Sequence, residues 1–442
     1  MSTPIHEPAA PVSLNTACRY WLKLGFISFG GPAGQIALMH AELVERRRWI
    51  SERRFLHALN YCMLLPGPEA TQLAVYIGWL MHRTRGGIMA GTLFVLPSLL
   101  ILIALSWIYM AFGTLPLVAG ILYGIKPAVV AIVLSAASRI GTRALGNASL
   151  VAIAAAAFFA IAVFHLPFPL IVLAAGAIGA LGGRLWPHRF QVGGQHPDAR
   201  TSYGPALIDD ATPTPPHARF SWFRLLRVAG IGAGLGLAVW LPLAAWSGAL
   251  AQMGWFFTKA ALLTFGGAYA VLPYVYQGGV EHFHWLNPAQ MMDGLALGET
   301  TPGPLIMIVA FVGFVGAWSH ALFGSQLLPA GAAGACVATF FTFLPSFIFI
   351  LAGGPLVEAT RDKVRMTAPL SAISAAVVGV IASLALFFGQ HVFWLDAPAP
   401  HWDLAAIGIS TAACVALFQF KAGSIKVIFA CAAAGLVLSY LH

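Results

Sequence analysis

Thirteen long apolar segments constrain the fold of this chain more than any other feature. They lie at about 14–40, 55–81, 87–111, 115–138, 148–164, 167–186, 224–246, 252–277, 290–316, 325–352, 368–389, 402–419 and 424–441. A helix of roughly 20 apolar residues is long enough to cross a bilayer. Of the 442 residues, 59% are hydrophobic and only 9% are charged, whereas a soluble domain carries about 25% charged residues. The sequence therefore predicts an all-α polytopic membrane protein surrounded by lipid, and it excludes a soluble enzyme and a nucleic-acid-binding domain.

An internal repeat relates the two halves of the chain. The matched stretches are 23–68 with 259–304, LPS at 96–98 with LPS at 344–346, and AVVAIV at 128–133 with AVVGVI at 376–381. The first match has a constant offset of 236 and the later two share an offset of 248. Six apolar segments fall in each repeat, and one more lies between the repeats. An odd number of crossings then separates equivalent positions, so we predict two inverted-topology repeats, which are typical of secondary transporters with a site at the repeat interface.

This organisation predicts five parts of the chain. They are an N-terminal tail (1–13), a first repeat (14–186), a cytoplasmic Pro-rich linker (187–222), an orientation-switching transmembrane helix (223–247) and a second repeat (248–442). The composition of the linker is typical of a flexible connection rather than of a packed domain.

The distribution of charge predicts how the segments cross the membrane. The net charge is +9, and the basic residues lie mostly between apolar segments, as the positive-inside rule expects. If all thirteen segments cross, the arginine-rich loop at 46–54 faces outward, against that rule. If the first two segments of each repeat are re-entrant hairpins, every basic loop faces inward. The charge pattern therefore favours nine spans plus four re-entrant segments over thirteen spans. Both alternatives place the N-terminus and linker in the cytoplasm and the C-terminus in the periplasm.

Helix-breaking motifs interrupt four of the apolar segments at repeat-equivalent positions. The residues of these motifs are Gly30, Gly31 and Pro32, Pro66, Gly67 and Pro68, Gly266 and Gly267, and Pro302, Gly303 and Pro304. Glycine and proline unwind a helix, and unwound backbone at membrane depth is tolerated where it lines a polar cavity or is buried in protein. A half-helix that starts after such a break directs free N–H groups at the cavity and favours an anion. The alternative is a tight packing kink at each motif.

Polar side chains near these breaks complete the predicted transport path. Lys23 and Lys259 are repeat-equivalent and are expected to attract an anion, although snorkelling to the lipid interface is the alternative. Glu69 and Glu299 are candidate proton carriers, and Glu69 is also placed to cap the following half-helix. Neutral hydrogen-bonding groups are supplied by Gln35, Gln72, Thr300 and Thr301. Lys126 ranks lower because its repeat equivalent is Ser374.

Several residue classes point away from catalysis and cofactors. The sequence has no GxxxxGK[ST], HExxH or GxSxG motif and no cluster of Cys or His with metal-ligand spacing, so neither a cofactor nor a metal is expected. We predict that the chain is not an enzyme. Trp49 and Trp285 are expected to anchor the chain at the membrane interface.

The motifs resemble those of the chromate ion transporter family in its long, two-domain form. The stretches that carry the resemblance are FISFGGPAGQIALMH at 26–40, RRRWISERRFLHALNYCMLLPGPEATQLAVYIGW at 46–79, LPS at 96–98, LTFGGAYAVLPYV at 263–275, LALGETTPGPLIMIVAFVGF at 295–314 and FLPSF at 343–347. The resemblance implies a bacterial inner-membrane protein that exports chromate from the cytoplasm and confers chromate resistance. Ala268 follows the second FGG in place of proline, so that break is expected to be less sharp.

The residues leave some functional alternatives open. Chromate and sulfate are tetrahedral dianions of similar size, so a sulfate or other oxyanion importer of the same architecture is the alternative function. A membrane enzyme would need a catalytic cluster that the sequence lacks, and a scaffold would leave the breaks unexplained. The sequence is compatible with a homodimer but does not fix the oligomeric state.

Overall fold

Helices form almost all of the regular structure in the residues that the computed structural model describes. These residues are 12–29, 31–190, 205–210, 212–213, 215–265, 267–359, 368–395 and 401–440. The first half contains α1 (Leu14–Ile27), α2 (Gly31–His40), α3 (Glu52–Leu64), α4 (Glu69–Phe112), α5 (Pro116–Ala144), α6 (Ala148–Ala162), α7 (Phe168–Leu185) and the short α8 (Pro187–Phe190). The second half contains α9 (Trp222–Trp246), α10 (Gly248–Leu262), α11 (Leu272–Tyr276), α12 (Pro288–Thr300), α13 (Ile308–Ser319), α14 (Leu327–Ala359), α15 (Ala368–Phe393), α16 (Leu404–Phe418) and α17 (Ser424–Ser439). Strands β1 (Trp394–Leu395) and β2 (His401–Trp402) pair antiparallel between α15 and α16.

The helices confirm an all-α polytopic membrane protein. Six of them in the described ranges, α4, α5, α7, α9, α14 and α15, are long and apolar enough to cross a bilayer. The apolar helices α6, α16 and α17 are shorter. Helix α9 has no buried residue, which fits a helix whose apolar surface is covered by lipid rather than by protein.

The predicted breaks interrupt the helices at all four motifs. Helix α1 ends before the first FGG and α3 ends before the first PGP, while α10 and α12 end before their counterparts. Each break contains a glycine with positive φ, namely Gly31 (+70°), Gly67 (+119°), Gly267 (+105°) and Gly303 (+106°). Other residues rarely adopt this backbone conformation, so glycine is the local cause of each break. Gly30 and Gly266 lie outside the described residues.

Irregular helical turns also recur at the repeat offset. The π-helical turns Ala41–Arg46 and Gln277–His282 are 236 residues apart. In the first half, His82 and Arg83 have non-helical backbone angles inside α4. They divide α4 into a half-helix and a full-length helix, whereas α13 and α14 are separate elements in the second half.

The half-helices that follow the PGP motifs are enclosed by protein. Residues 69–80 of α4 are all buried, and so are residues 308–317 of α13. A helix that is apolar on every side is stable when it is surrounded by other helices. These two segments therefore form the centre of the molecule and position the residues at their N-terminal ends.

Part of the linker is packed against the protein, which corrects the expectation of a flexible connection. Ile208 forms a parallel bridge with Ile50 of the arginine-rich loop, and its amide donates a hydrogen bond to the Trp49 carbonyl at 3.1 Å. Ile208 and Ala218 are buried. Residues 46–54 and linker residues 205–210, 212–213 and 215–218 therefore lie on one face of the molecule, which we call the linker face. Linker residues 191–204, 211 and 214 lie outside the described residues.

Candidate functional site

A cavity of about 940 Å³ lies where the broken helices meet. Its lining includes His40 and Glu45, which adjoin the arginine-rich loop, so the cavity reaches the linker face. Gly31 and Pro32, the first residues of α2 after the break, line it from one half, and Gly267 lines it from the other. The open backbone of both halves therefore faces a single space.

The breaks of the two halves hold each other through reciprocal hydrogen bonds. The Gly67 amide donates to the Thr264 carbonyl at 2.8 Å, and the Gly303 amide donates to the Ser28 carbonyl at 2.8 Å. Ser28 and Thr264 are 236 residues apart, as are Gly67 and Gly303. Each PGP motif thus binds the residue just before the FGG break of the opposite half, and reciprocal contacts of this kind are expected of a two-fold relation.

Two glutamates and two arginines line the cavity and interact in pairs. Glu69 at the start of α4 and Glu299 near the end of α12 are both 8% exposed and line the cavity. Arg139 and Arg143, one turn apart on α5, also line it and are exposed. Arg143 interacts electrostatically with Glu69, and Arg139 with Glu299. The Tyr269 hydroxyl donates a hydrogen bond to Glu299 Oε1.

The structure brings only some of the predicted site residues to the cavity. Those that line it are Gly31, Pro32, Glu69, Gly267 and Glu299. Those that do not are Lys23, Gln35, Pro66, Gly67, Pro68, Gln72, Lys259, Thr300, Thr301, Pro302, Gly303 and Pro304.

The amide side chains among the predicted residues support the breaks. Gln72 Nε2 donates to the Pro66 carbonyl at 2.8 Å and to Ser346 Oγ at 3.2 Å. Gln35 Nε2 donates to the Gly303 carbonyl. Thr301 Oγ1 donates to carbonyls of α12 at 3.0 Å. These groups satisfy backbone acceptors that unwinding leaves free, so they position the site rather than line it.

The two lysines do not form the predicted pair at the cavity. Lys23 is exposed and shares its helix face with Phe26 and Ile27, which are 50% and 44% exposed. The Nζ of Lys259 lies 5.7 Å from the ring centroid of Trp255, which is 58% exposed. Both lysines therefore lie on outward apolar stripes of their helices, where a long side chain reaches the lipid interface.

The sequence interpretation missed the two arginines and the serines opposite them. In sequence, Arg139 and Arg143 are two more basic residues between apolar segments, which the positive-inside rule explains without a binding role. Ser371 and Ser374 of α15 also line the cavity. The available signal was the spacing of the arginines, which places both on one face of α5.

Trp49 and Trp285 are buried, which corrects their assignment as interfacial anchors. Trp49 is 5% exposed, with the Arg47 guanidinium 5.3 Å from its ring centroid. Trp285 is 3% exposed and stacks on Phe283 at a centroid distance of 4.6 Å. Their recurrence at the repeat offset reflects equivalent packing of the turns that precede α3 and α12.

The arrangement is suited to bind and release an oxyanion. Guanidinium groups match the oxygens of tetrahedral anions with paired hydrogen bonds, and the N-terminus of α2 adds free N–H groups and a favourable dipole. The buried carboxylates beside the arginines compete with an anion for the same positive charge. The cavity can therefore exchange an internal counter-ion for a bound one.

A family comparison matches both halves of the chain. The chromate transporter family model aligns with residues 16–180 and again with 251–436. These ranges include the four breaks, both glutamates and both arginines described above.

Individual relatives match over most of the chain. A chromate transport protein of Cupriavidus metallidurans is 30% identical over 426 residues, which cover 96% of this chain and 93% of that protein. A chromate transport protein of Pseudomonas aeruginosa is 31% identical over 389 residues, which cover 86% of this chain and 82% of that protein. An uncharacterized transporter of Bacillus subtilis is 30% identical over 158 residues, which are 35% of this chain but 89% of that protein. No solved structure matches the chain.

Proposed function

The chain belongs to the chromate transporter family, and from this premise we propose that it exports chromate from the cytoplasm across a bacterial inner membrane and so confers chromate resistance. Its relatives are named as transport proteins rather than enzymes. The proposed orientation places the linker face in the cytoplasm, because that face carries the arginine-rich loop and the linker. The cavity then opens toward cytoplasmic chromate.

The observation that carries this proposal is that Arg139 and Arg143 line the same cavity as the first residues of α2. Chromate is a tetrahedral dianion, and Arg139 and Arg143 supply two positive charges on one side of the cavity. The N–H groups at the start of α2, whose residues Gly31 and Pro32 line the same cavity, add hydrogen-bond donors. A dianion bound between them contacts groups from several helices, so its binding is coupled to how those helices are arranged.

Coupling to protons follows from the two carboxylates. When an anion binds to Arg139 and Arg143, Glu69 and Glu299 lose their counter-ions. An unpaired charge is costly at these buried positions. We therefore propose that anion binding is accompanied by protonation of one carboxylate. The membrane potential and the proton gradient can both act on such a step.

The test is chromate flux in inside-out vesicles, whose outer solution corresponds to the cytoplasm. Energised vesicles that contain the wild-type protein should accumulate chromate. This accumulation should stop when an ionophore collapses the gradients. Arg143→Gln and Arg139→Gln should each lower the apparent affinity roughly 10–100-fold, the value of one or two charge-assisted hydrogen bonds. Lys23→Gln is the matched control and should transport normally, because Lys23 lies away from the cavity.

Other results would redirect or contradict the assignment. Energised flux that excess sulfate suppresses, in the direction that fills the cytoplasm, would identify an oxyanion importer. Normal chromate affinity in Arg139→Gln and Arg143→Gln would remove the arginines from the binding site.

A further inference from the structure

The internal repeat assigns each cavity residue a counterpart toward the opposite face of the molecule. Residues of the first repeat up to position 68 have counterparts 236 residues later, and residues of α4 and α5 from position 96 onward have counterparts 248 residues later. We call these counterparts the mirror positions. An inverted-repeat transporter exposes its site to the two sides in turn by exchanging the arrangements of its two halves. The mirror positions therefore identify the surfaces that an opposite-facing cavity would expose.

The mirror positions are closed in this structure. His40, Arg139 and Ile140 line the cavity, and their mirror positions hold Tyr276, Phe387 and Phe388. The Tyr276 ring lies 4.7 Å from that of Phe387 and 6.1 Å from that of Phe388, measured between centroids. Leu56 lines the cavity, whereas its mirror position, Met292, is 1% exposed. The structure thus shows one open side and one side sealed by aromatic packing.

A charged contact joins three helices on the sealed side. Asp293 of α12 is 2% exposed, and its Oδ2 lies 3.8 Å from Lys126 Nζ of α5. The Tyr109 hydroxyl of α4 donates a hydrogen bond to the same oxygen at 2.9 Å. Asp293 Oδ1 has no hydrogen-bond partner among the described residues. A buried charge is costly unless it is paired, so the stability of Asp293 at this position depends strongly on its contacts with Lys126 and Tyr109.

The equivalent contact on the open side carries no ion pair. The mirror relation pairs Asp293 with His57 and Tyr109 with Val357. His57 Nε2 lies 2.9 Å from the Val357 carbonyl oxygen, so a hydrogen bond to a backbone oxygen stands where the sealed side has a charged cluster. The mirror position of Lys126 is Ser374, which lines the open cavity.

From these observations we infer that Lys126 and Asp293 form a latch that holds the opposite face closed, and that Lys126 becomes the anion-binding cation of the opposite-facing cavity when the latch opens. Arg139 and Arg143 have Phe387 and His391 at their mirror positions. Among the mirror positions of the residues that line the open cavity, the one that holds a lysine or arginine is Lys126, the mirror position of Ser374. An anion moving outward would pass from two arginines to one lysine, which favours its release. The second part of this inference rests on the proposed function, whereas the first part does not.

Thiol accessibility tests the latch without any transport assay. Single cysteines replace Leu56, at the open cavity, and Met292, at its mirror position, in a background in which the five native cysteines are changed to serine. A membrane-impermeant thiol reagent is applied to right-side-out and inside-out vesicles separately. Lys126→Met should raise the labelling rate of the cysteine at 292 about tenfold from the face opposite the linker and lower that of the cysteine at 56, because the coupling between two states is typically worth 5–150-fold. Asp293→Asn should act in the same direction.

Matched variants separate the latch from general damage. Lys126→Arg keeps the charge and should label like the parent, and Lys23→Met removes a lysine from a lipid-facing stripe and should also label like the parent. Unchanged labelling at both cysteines in folded Lys126→Met and Asp293→Asn would overturn the latch.

Chromate flux in the same vesicles tests the role of Lys126 in binding. Lys126→Met should lose flux and Lys126→Arg should retain it. Normal flux in Lys126→Met would overturn the anion-binding role while leaving the accessibility result intact. A parent protein that shows no chromate flux would contradict the proposed function, and the labelling result would still decide the latch.

Discussion

Single glycines set the distance between the two halves at the PGP motifs. A Cβ at Gly303 would lie 2.7 Å from Ser98 Cβ, and one at Gly67 would lie 2.4 Å from Ser346 Oγ. Ser98 and Ser346 are themselves repeat-equivalent. Each PGP motif is therefore pressed against the LPS motif of the opposite half. Glycine is needed at these positions both for its positive φ and for the close approach.

A larger residue at these glycines should destabilise the protein. Gly303→Ala adds backbone strain and forces the Ser98 side chain away from its Cβ, so we expect a loss of about 2–5 kcal/mol, the sum of these two effects. Gly408→Ala in α16 is the control, because a Cβ there has no atom within 4 Å. Thermal unfolding in detergent, with unfolding temperatures compared between the two variants, measures the effect. Equal temperatures would show that the PGP contact is loose.

Individual residues also show how far sequence alone reaches. Glu69 and Gly31 could be predicted because breaks and intramembrane carboxylates are rare in apolar sequence. The place of Arg139 at the cavity could not be predicted, because its position in the sequence fits the positive-inside rule equally well. Only the packing of α5 brings Arg139 to the cavity. Sequence could not show that Lys23 does not line the cavity for a related reason: repeat equivalence identifies a shared position but not the helix face that it occupies.

At the scale of elements, the linker packs against both the arginine-rich loop and α4. The Ser51 hydroxyl donates to Asp210 Oδ1 at 2.6 Å, and His217 Nε2 lies 3.1 Å from the Trp79 carbonyl oxygen. Linker residues therefore contact both the arginine-rich loop and the end of the central half-helix of α4. Composition predicted a flexible linker, and it could not show that Ile208 and Ala218 would find buried positions.

Docking of the linker should depend on pH through His217. Burial is the main cause that lowers the pKa of His217 from its ordinary value of 6.5. The docked state thus disfavours the proton, so docking is strongest above about pH 6.5 and weakens as the pH falls below it. Hydrogen exchange of the Ile208 amide, corrected for its intrinsic pH dependence, should show protection falling between about pH 7 and 5.5. His217→Gln should remove this dependence; an identical pH profile in that variant would assign it to another group.

At the scale of the whole molecule, contacts between distant loops bear on the number of membrane crossings. The Ser51 amide donates to the Ile208 carbonyl at 3.0 Å, which joins the arginine-rich loop to the linker. A second contact joins the two halves: the Phe168 amide at the start of α7 donates to Gln277 Oε1 of the second π-helical turn at 2.9 Å. Thirteen full crossings would put the members of each pair on opposite sides of the membrane. Nine spans with four re-entrant segments put them on the same side.

We therefore predict that cysteines at Arg53 and Arg219 react from one side of the membrane and cysteines at His165 and His282 from the other. All four positions are exposed, and an impermeant thiol reagent on oriented vesicles distinguishes the sides. Thirteen spans would separate Arg53 from Arg219 and would contradict this topology. The charge pattern favours re-entrant hairpins. The apolar segments themselves do not decide, because a segment that is broken in its middle can either cross the bilayer or turn back within it. Local sequence does not distinguish these two courses, and contacts between chain regions more than a hundred residues apart favour the second.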